Sequence, residues 1–301
     1  MIHQLVVPDH LAGSRLDAVV AKLLNMSRSK AAKVMAEGTA TVNGQPAAKS
    51  TIVTAGVELR LDLPDSLVTD EPVVPLEVIF EDNHLVVVDK PVGVAAHSGP
   101  GWSGPTVIGS LLEGGHQVAL SGPLERRGVV QRLDVGTSGL MMVAKSEQAY
   151  SALKQMFRDR AVTKVYHGLV QGLPHNLAGT VDAPIGRLPG DYKFAVLDGG
   201  KPSITHYELL EAFLGASLLR LDLATGRTHQ IRVHMAAIGH PLLGDPFYGA
   251  DQALSNRLGL ERQWLHATEL EFDHPISGQR LLLKTSYPSD LQTALDRLRA
   301  S

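Results

Sequence analysis

An aspartate set between two apolar stretches is the first group in this sequence that could do acid–base or nucleophilic chemistry. Asp134 lies in Gly128-Val-Val-Gln-Arg-Leu-Asp-Val-Gly-Thr-Ser-Gly-Leu-Met-Met-Val-Ala-Lys145, two residues after Arg132 and just before Gly136-Thr137-Ser138-Gly139. An Asp with the reference pKa of about 3.9 is ionised near neutrality unless burial raises it, so Asp134 offers a nucleophile or a base. An Asp beside glycine also serves simply to cap a turn, and the local pattern accommodates both readings. A second cluster is Thr225-Gly-Arg-Thr-His-Gln-Ile-Arg-Val-His-Met235, with Arg227 near the start of a predicted helix. There the free N–H groups and the positive dipole end suit a carboxylate or a phosphate. His229, His234 and His240 raise the question of a metal. A zinc pair on one helix is expected at i and i+4, and positions five apart put two rings about 140° apart, so packing or phosphate contact is the better reading.

The elements that must position these groups are legible from periodicity. Val129-Val130 ends one strand and Leu140 to Ala144 has the length and branching of a buried one, which puts Asp134 on the loop between them. Upstream, Val78 to Phe80 and Leu85 to Val88 read as two strands around a turn, and Asp89-Lys90-Pro91-Val92-Gly93 leaves the second, followed by His97. The Gly-rich stretch from Ser98 to Gly128 reads as a mobile loop around one short helix. Ser146 can cap a helix whose apolar face is Ala149, Leu153, Met156 and Phe157 and whose other face carries Lys154, Arg158 and Arg160. Thr163 to Val170 alternates as a strand, with Tyr166 on the face opposite Val165 and His167. Lys201 to Leu210 and Ser217 to Leu223 are further strands, and Thr228 can cap the helix that Gly239 ends. Many strands with few helices predict an α+β domain on a mixed or antiparallel sheet.

Residues 1–63 read as a separate small module: a helix from Arg15, a second from Arg28 to Glu37 capped by Ser27, an Asn43-Gly44 turn and a strand at Val57 to Leu61. Over residues 15–62 there are seven Lys and Arg against four Asp and Glu, a local excess of +3 in a chain whose net charge is -3. A solvated helix face would carry the same charges. Three prolines among acidic residues mark a linker at 64–75, which leaves 76–301 for the main domain.

Composition bounds the function. With 301 residues, 44% hydrophobic and 20% charged, the chain is an ordinary globular protein with room for about two domains. Without Cys it has no thiolate nucleophile, disulfide or Cys-ligated zinc, which fits a cytoplasmic protein. No apolar run approaches a membrane span, and no Walker or Rossmann glycine pattern is present. A small-molecule glycosidase using Asp134 would need a second carboxylate at a readable spacing, and none stands out.

Arg132-Leu133-Asp134-x-x-Thr137-Ser138-Gly139 resembles the signature of the RluA/RluD-type RNA pseudouridine synthases. Asp89-Lys90-Pro91-x-Gly93 with His97, the Thr225–Met235 stretch, His240 to Asp245 and Tyr248-Gly249 extend that resemblance in family order over about residues 15 to 285. Ser27-Arg28-Ser29-Lys30 and Thr41-Val42-Asn43-Gly44 resemble an S4 RNA-binding module. The resemblance implies isomerisation of uridine within RNA, without cofactor or metal, by a catalytic domain preceded by an S4-like module. It implies Asp134 as the catalytic residue, Tyr166 stacked on the target uracil, and Arg227 as the active-site Arg holding the carboxylate in a dry pocket. It also implies RNA contacts for Gln131, Arg132, Lys90, His97, Thr137, His229, Arg28 and Lys30. The substrate class it implies is large-subunit (23S-type) ribosomal RNA or transfer RNA, bound by a monomer. The competing reading is a catalytically weak RNA-binding or ribosome-assembly factor of the same fold. Two positions depart from the family pattern: Gln131 stands where His is usual, and Gly136 is small enough to loosen the loop.

Overall fold

In this computed structural model, residues 2–24, 28–62, 72–99, 102–123, 126–188, 190 and 193–300 are described, without the side chains of 2, 3, 10, 29, 30, 33, 34 and 37. Two compact units divide the chain: 1–73 with 98–103 and 122–127, and 74–97 with 104–121 and 128–301. Ser27 and most of the expected linker, residues 63–71, lie outside the described residues.

The first unit contains β1 (Ile2–Val6), α1 (Leu16–Leu23), α2 (Arg28–Glu37), β2 (Thr39–Val42), β3 (Gln45–Pro46) and β4 (Glu58–Asp62). Its four strands form an antiparallel sheet in the order β1-β4-β2-β3. Leu16, Val19 and Val20 fall at helical spacing on α1 and are fully buried against Leu59 and Leu61, the inward residues of β4. Asn43 and Gly44 both take positive φ, 48° and 78°, as the predicted tight turn requires. Strand β1 had no counterpart in the sequence reading.

The second unit holds β5 (Glu77–Glu81), β6 (Leu85–Lys90), α3 (Val107–Glu113), β7 (Ser138–Ala144), α4 (Glu147–Arg158), β8 (Thr163–Gln171), β9 (Ala178–Asp182), β10 (Ile185–Arg187) and β11 (Phe194–Val196). It continues with β12 (Ile204–Phe213), β13 (Ala216–Leu223), α5 (Gln230–Ala237), α6 (Gln252–Leu258), β14 (Leu265–Asp273), β15 (Arg280–Lys284) and α7 (Ser289–Arg299). Among the described residues, nine strands make one mixed sheet in the order β5-β6-β7-β14-β8-β13-β12-β9, with β15 on β14. Only β7 and β14 run parallel, which confirms the α+β class.

The centre of this sheet is covered on both faces. Val86, Val88, Met141 and Val143 enter one core, while Leu85, Val87, Leu140 and Met142 enter the other, the period-2 alternation of buried strands. Each such side chain taken out of water contributes about 1.5 to 3 kcal/mol. The parallel pair is unusually close. A Cβ on Gly139, whose φ is 114°, would collide with the amide and carbonyl of Ala267, so only glycine fits where β7 meets β14.

Candidate active site

The strand register explains why distant residues meet. Tyr166 on β8 pairs with Ala267 on β14, and Ala267 pairs with Gly139 on β7. Gly139 lies five residues after Asp134, so Tyr166 and the Asp134 loop share one end of the sheet. Tyr166 is 7% exposed, and its hydroxyl is pushed well up, first by burial and then by the charge of Asp134.

The loop itself is pinned from several sides. Leu133 anchors it in the core. The N–H of Thr137 donates to Asp134 O at 3.0 Å and that of Gly93 to Val135 O at 2.9 Å. Arg262, buried before β14, donates Nη1 to Gly136 O at 3.2 Å and holds Asp290 on α7 through Nε and Nη2 at 2.7 and 3.1 Å. Gln263 fills the space a side chain at 136 would need and donates to Thr137 Oγ1 at 3.2 Å. Gly136 was expected to loosen this loop; instead its missing side chain admits the residue that fastens it.

Helix α5 supplies the other half. Gln230, almost fully buried, accepts from Arg227 N and Thr225 Oγ1 and donates to Ile204 O and Thr205 Oγ1, which clamps the start of the helix to β12. The helix begins one residue later than a Thr228 cap would place it. His229 occupies the N-cap position in the left-handed region, φ 57°, with no side-chain cap bond.

The arginine beside Asp134 is Arg232. Its Nη1 lies 3.4 Å from Asp134 Oδ2, while Nε and Nη2 hold Asp245 at 2.7 and 2.9 Å. Its guanidinium carbon sits 5.1 Å from the Tyr248 ring centre and 5.5 Å from that of Phe247. The expected pairing of Arg227 with Asp134 is not formed: Arg227 is exposed and donates Nε to Pro202 O at 3.3 Å. It precedes the helix, so its side chain leaves toward solvent, whereas Arg232 lies one turn inside on the face turned to the loop. The sequence held no signal that singles out Arg232; its role follows from burial. Every residue from Gln230 to Met235 is buried, so this part of the helix has no solvent face to carry an idle charge. Asp245, Arg262 and Gln263 were likewise given no role from sequence.

Two expected RNA contacts are corrected. Lys90 is fully buried and donates Nζ to Pro91 O and Val94 O at 2.9 and 2.8 Å, so its ammonium braces the Gly93 turn instead of meeting phosphate. Burial, then Arg262, pushes its pKa down to about 7, with Asp134 and Asp89 opposing. Thr137 is 2% exposed, and its hydroxyl is taken by Gln263. Arg132 is exposed. Gln131 is half-buried, with its amide nitrogen lacking a hydrogen-bond acceptor among the described residues. His97 is half-buried on the loop after β6.

In the first unit, the exposed Arg28 pairs at 3.2 Å with Asp17, which Arg15 also holds. The side chain of Lys30 lies outside the described residues. The histidines separate: His234 bonds Thr205 Oγ1 and Ala183 O, His240 bonds Gln171 O, and His229 alone faces Asp134, at 3.8 Å from Nε2 to Oδ2. No group of three or more His, Asp or Glu able to hold a metal occurs among the described residues. No helix there is long and apolar enough to cross a membrane.

Comparison with known proteins places this geometry in context. The sequence model of the RNA pseudouridylate synthase family matches residues 84–237. An uncharacterized RNA pseudouridine synthase of Mycobacterium bovis is 51% identical, covering 97% of both chains. The ribosomal large subunit pseudouridine synthase D of Xanthomonas campestris is 40% identical over 99% of this chain and 93% of its own. Among solved structures, human RNA pseudouridylate synthase domain containing 4 aligns with a TM-score of 0.59 at 25% identity, over 74% of this chain and 93% of that one.

Proposed function

The chain belongs to the RNA pseudouridylate synthase family and is an isomerase that converts uridine to pseudouridine in RNA, and from this premise we propose that Asp134 is its catalytic residue and large-subunit ribosomal RNA its substrate. The observation that carries the first part is a carboxylate at the mouth of a rigid loop, facing one nitrogen of an arginine whose other nitrogens are committed to Asp245. Arg232 is thereby fixed before substrate arrives, and no reorganisation is needed when charge moves onto or off Asp134. Similarity at 40% identity to proteins named for the ribosomal large subunit supports the second part, and with it a cytoplasmic location.

The reaction moves C1′ of the ribose from N1 of uracil to C5 and loses no atom. The uracil must leave its stack, at a cost of a few kcal/mol that loops and distorted stems reduce. Asp134 then meets the ribose or the base. Tyr166 is buried within the field of Asp134, and its hydroxyl, protonated at neutral pH as a phenol ordinarily is, offers a donor and a stacking face. The exposed Arg132 and Arg227 suit the flanking phosphates. In the first unit, Arg28 and its basic neighbours extend the RNA contact as an S4-like module.

The test is Asp134→Asn, isosteric and without the charge. Turnover of a uridine-containing stem-loop should vanish while RNA binding persists or strengthens, since an anion leaves an RNA site. More than a trace of isomerisation by this variant would remove Asp134 from the chemistry. No pseudouridine formed by the wild type would favour an RNA-binding factor of the same fold. Mapping pseudouridines in ribosomal RNA with and without the gene tests the substrate.

A further inference from the structure

His229 is the one non-glycine residue of this site held in the left-handed backbone region, φ 57°, a strained conformation that calls for a reason. Its ring is fixed at both ends. Nδ1 lies 2.8 Å from the hydroxyl of Tyr248, and that hydroxyl accepts the N–H of Phe194 at 3.2 Å. The rings of Phe194 and Tyr248 meet the imidazole edge-on at 5.8 and 5.7 Å. Nε2 faces Asp134 Oδ2 at 3.8 Å.

We infer that His229 is a positioning residue for Asp134: a neutral imidazole, with its proton on Nε2, that orients the carboxylate alongside Arg232. The inference rests on Asp134 being the reactive group. Both ends of the ring favour this tautomer. The Tyr248 hydroxyl already accepts from Phe194, and among the described residues its own proton finds an acceptor only in Nδ1. The opposite tautomer would aim an Nε2 lone pair at a carboxylate oxygen, which is repulsive. The charged groups around the ring are Asp134 and Arg132 from the loop, Arg232 from α5, and Asp245 and the titratable Tyr248 from the segment after α5; β11 presents only Phe194 among the described residues. Burial, Arg232 and Arg132 disfavour the imidazolium, against Asp134 and Asp245. A neutral donor aligns the carboxylate without cancelling its charge, whereas an imidazolium would form a full ion pair and quench it. Turnover therefore falls at acid pH as His229 takes up a proton.

Two measurements test this. Ring nitrogen NMR of the free protein, assigned by the signal lost in His229→Asn, should show a neutral ring protonated at Nε2 at pH 7. An Nδ1-protonated or cationic ring overturns the inference whatever the enzyme does. Single-turnover isomerisation of a stem-loop then compares His229→Asn, which tolerates the left-handed backbone but is too short to reach, with His229→Gln, which can reach but cannot titrate. Asn should slow the step by about threefold to tenfold, less than a formed hydrogen bond to a charged group is worth because Nε2 stands 3.8 Å from Oδ2, with RNA affinity within about twofold. Gln should restore most of the rate and lose the acid limb of the pH profile. Weakened RNA affinity at an unchanged rate would make His229 an RNA contact, and an acid limb persisting in Gln would assign it to another group; either result overturns the inference. Turnover retained by Asp134→Asn would instead sink the catalytic assignment and leave the tautomer measurement standing.

Discussion

At the residue scale, the site turns on which arginine serves Asp134. Arg232 is 3% exposed, forked onto Asp245 and stacked against Tyr248 and Phe247, while Arg227 is exposed on a backbone carbonyl. Lysine carries the charge of either but lacks the planar fork. Arg232→Lys should therefore lose about 1.5 to 3 kcal/mol of stability through one charge-assisted bond to the buried Asp245, and slow turnover by on the order of a hundredfold. Arg227→Lys should change turnover by less than about threefold, because an exposed cation over phosphate is replaceable. Denaturant melts and single-turnover rates on both variants check this, and the reverse order of effects would restore Arg227 as the partner. The sequence made both arginines visible but could not rank them. Motif spacing puts both near one helix start, and only the burial of Gln230 to Met235 decides which points inward.

At the element scale, α7 reaches the site through Arg262, which ties Asp290 to the carbonyl of Gly136. Arg262→Ala should leave RNA affinity unchanged and lower the chemical rate, since the loop loses a brace and no RNA contact. The stability cost should be about 1 to 3 kcal/mol, held below that of a fully buried pair by the 41% exposure of the Asp290 side chain. A wild-type rate in this variant would show that the other ties suffice. The seam of β7 and β14 also carries a pH signature. His266 is fully buried, with Nδ1 on Ser138 Oγ at 2.9 Å, and burial, then Arg262, pushes its pKa down to about 4. Its folded pKa is below the unfolded reference of about 6.5, so the unfolded chain binds the extra proton between these values. Its contribution is whole above about pH 6.5 and is lost as pH falls toward 4, about 3 kcal/mol from this group at most. Urea midpoints from pH 7 to 4 should fall in wild type and less steeply in His266→Gln; parallel slopes would place the proton elsewhere. The sequence shows β6, β7, β8 and α4 plainly, because runs such as Leu140 to Ala144 and the Ser146 cap are local signals. It does not show that β7 pairs with β14, since that contact spans more than a hundred residues and its local trace is a single glycine. Helix α7 had a readable stripe at Leu291, Ala294, Leu295 and Leu298, but no motif drew attention to it.

At the scale of the whole molecule, the division into two units is a division of cores. One cluster runs from Val7 to Leu61, and the other three draw only on residues from Val74 onward. Composition puts the expected boundary at a proline-bearing acidic stretch, 64–75. It could not foresee that 98–103 and 122–127 group with the first unit, because their own composition is ordinary loop. Separate cores mean that removing residues 1–73 takes away no part of the other three clusters. The truncated chain should therefore be soluble and melt cooperatively, with the β-rich circular dichroism of the nine-stranded sheet. Its loss should appear in RNA handling. Without Arg28 and its basic neighbours, affinity for structured RNA should drop, and the dependence on salt should flatten by about one unit of slope for each phosphate contact removed. The single-turnover rate at saturating short stem-loop should stay within severalfold of wild type, because Asp134, Tyr166, His229 and Arg232 all belong to the unit that remains. A truncated chain that fails to fold would make the first unit part of the scaffold. One that folds and binds structured RNA with an unchanged salt slope would leave that unit without the RNA contact proposed for it.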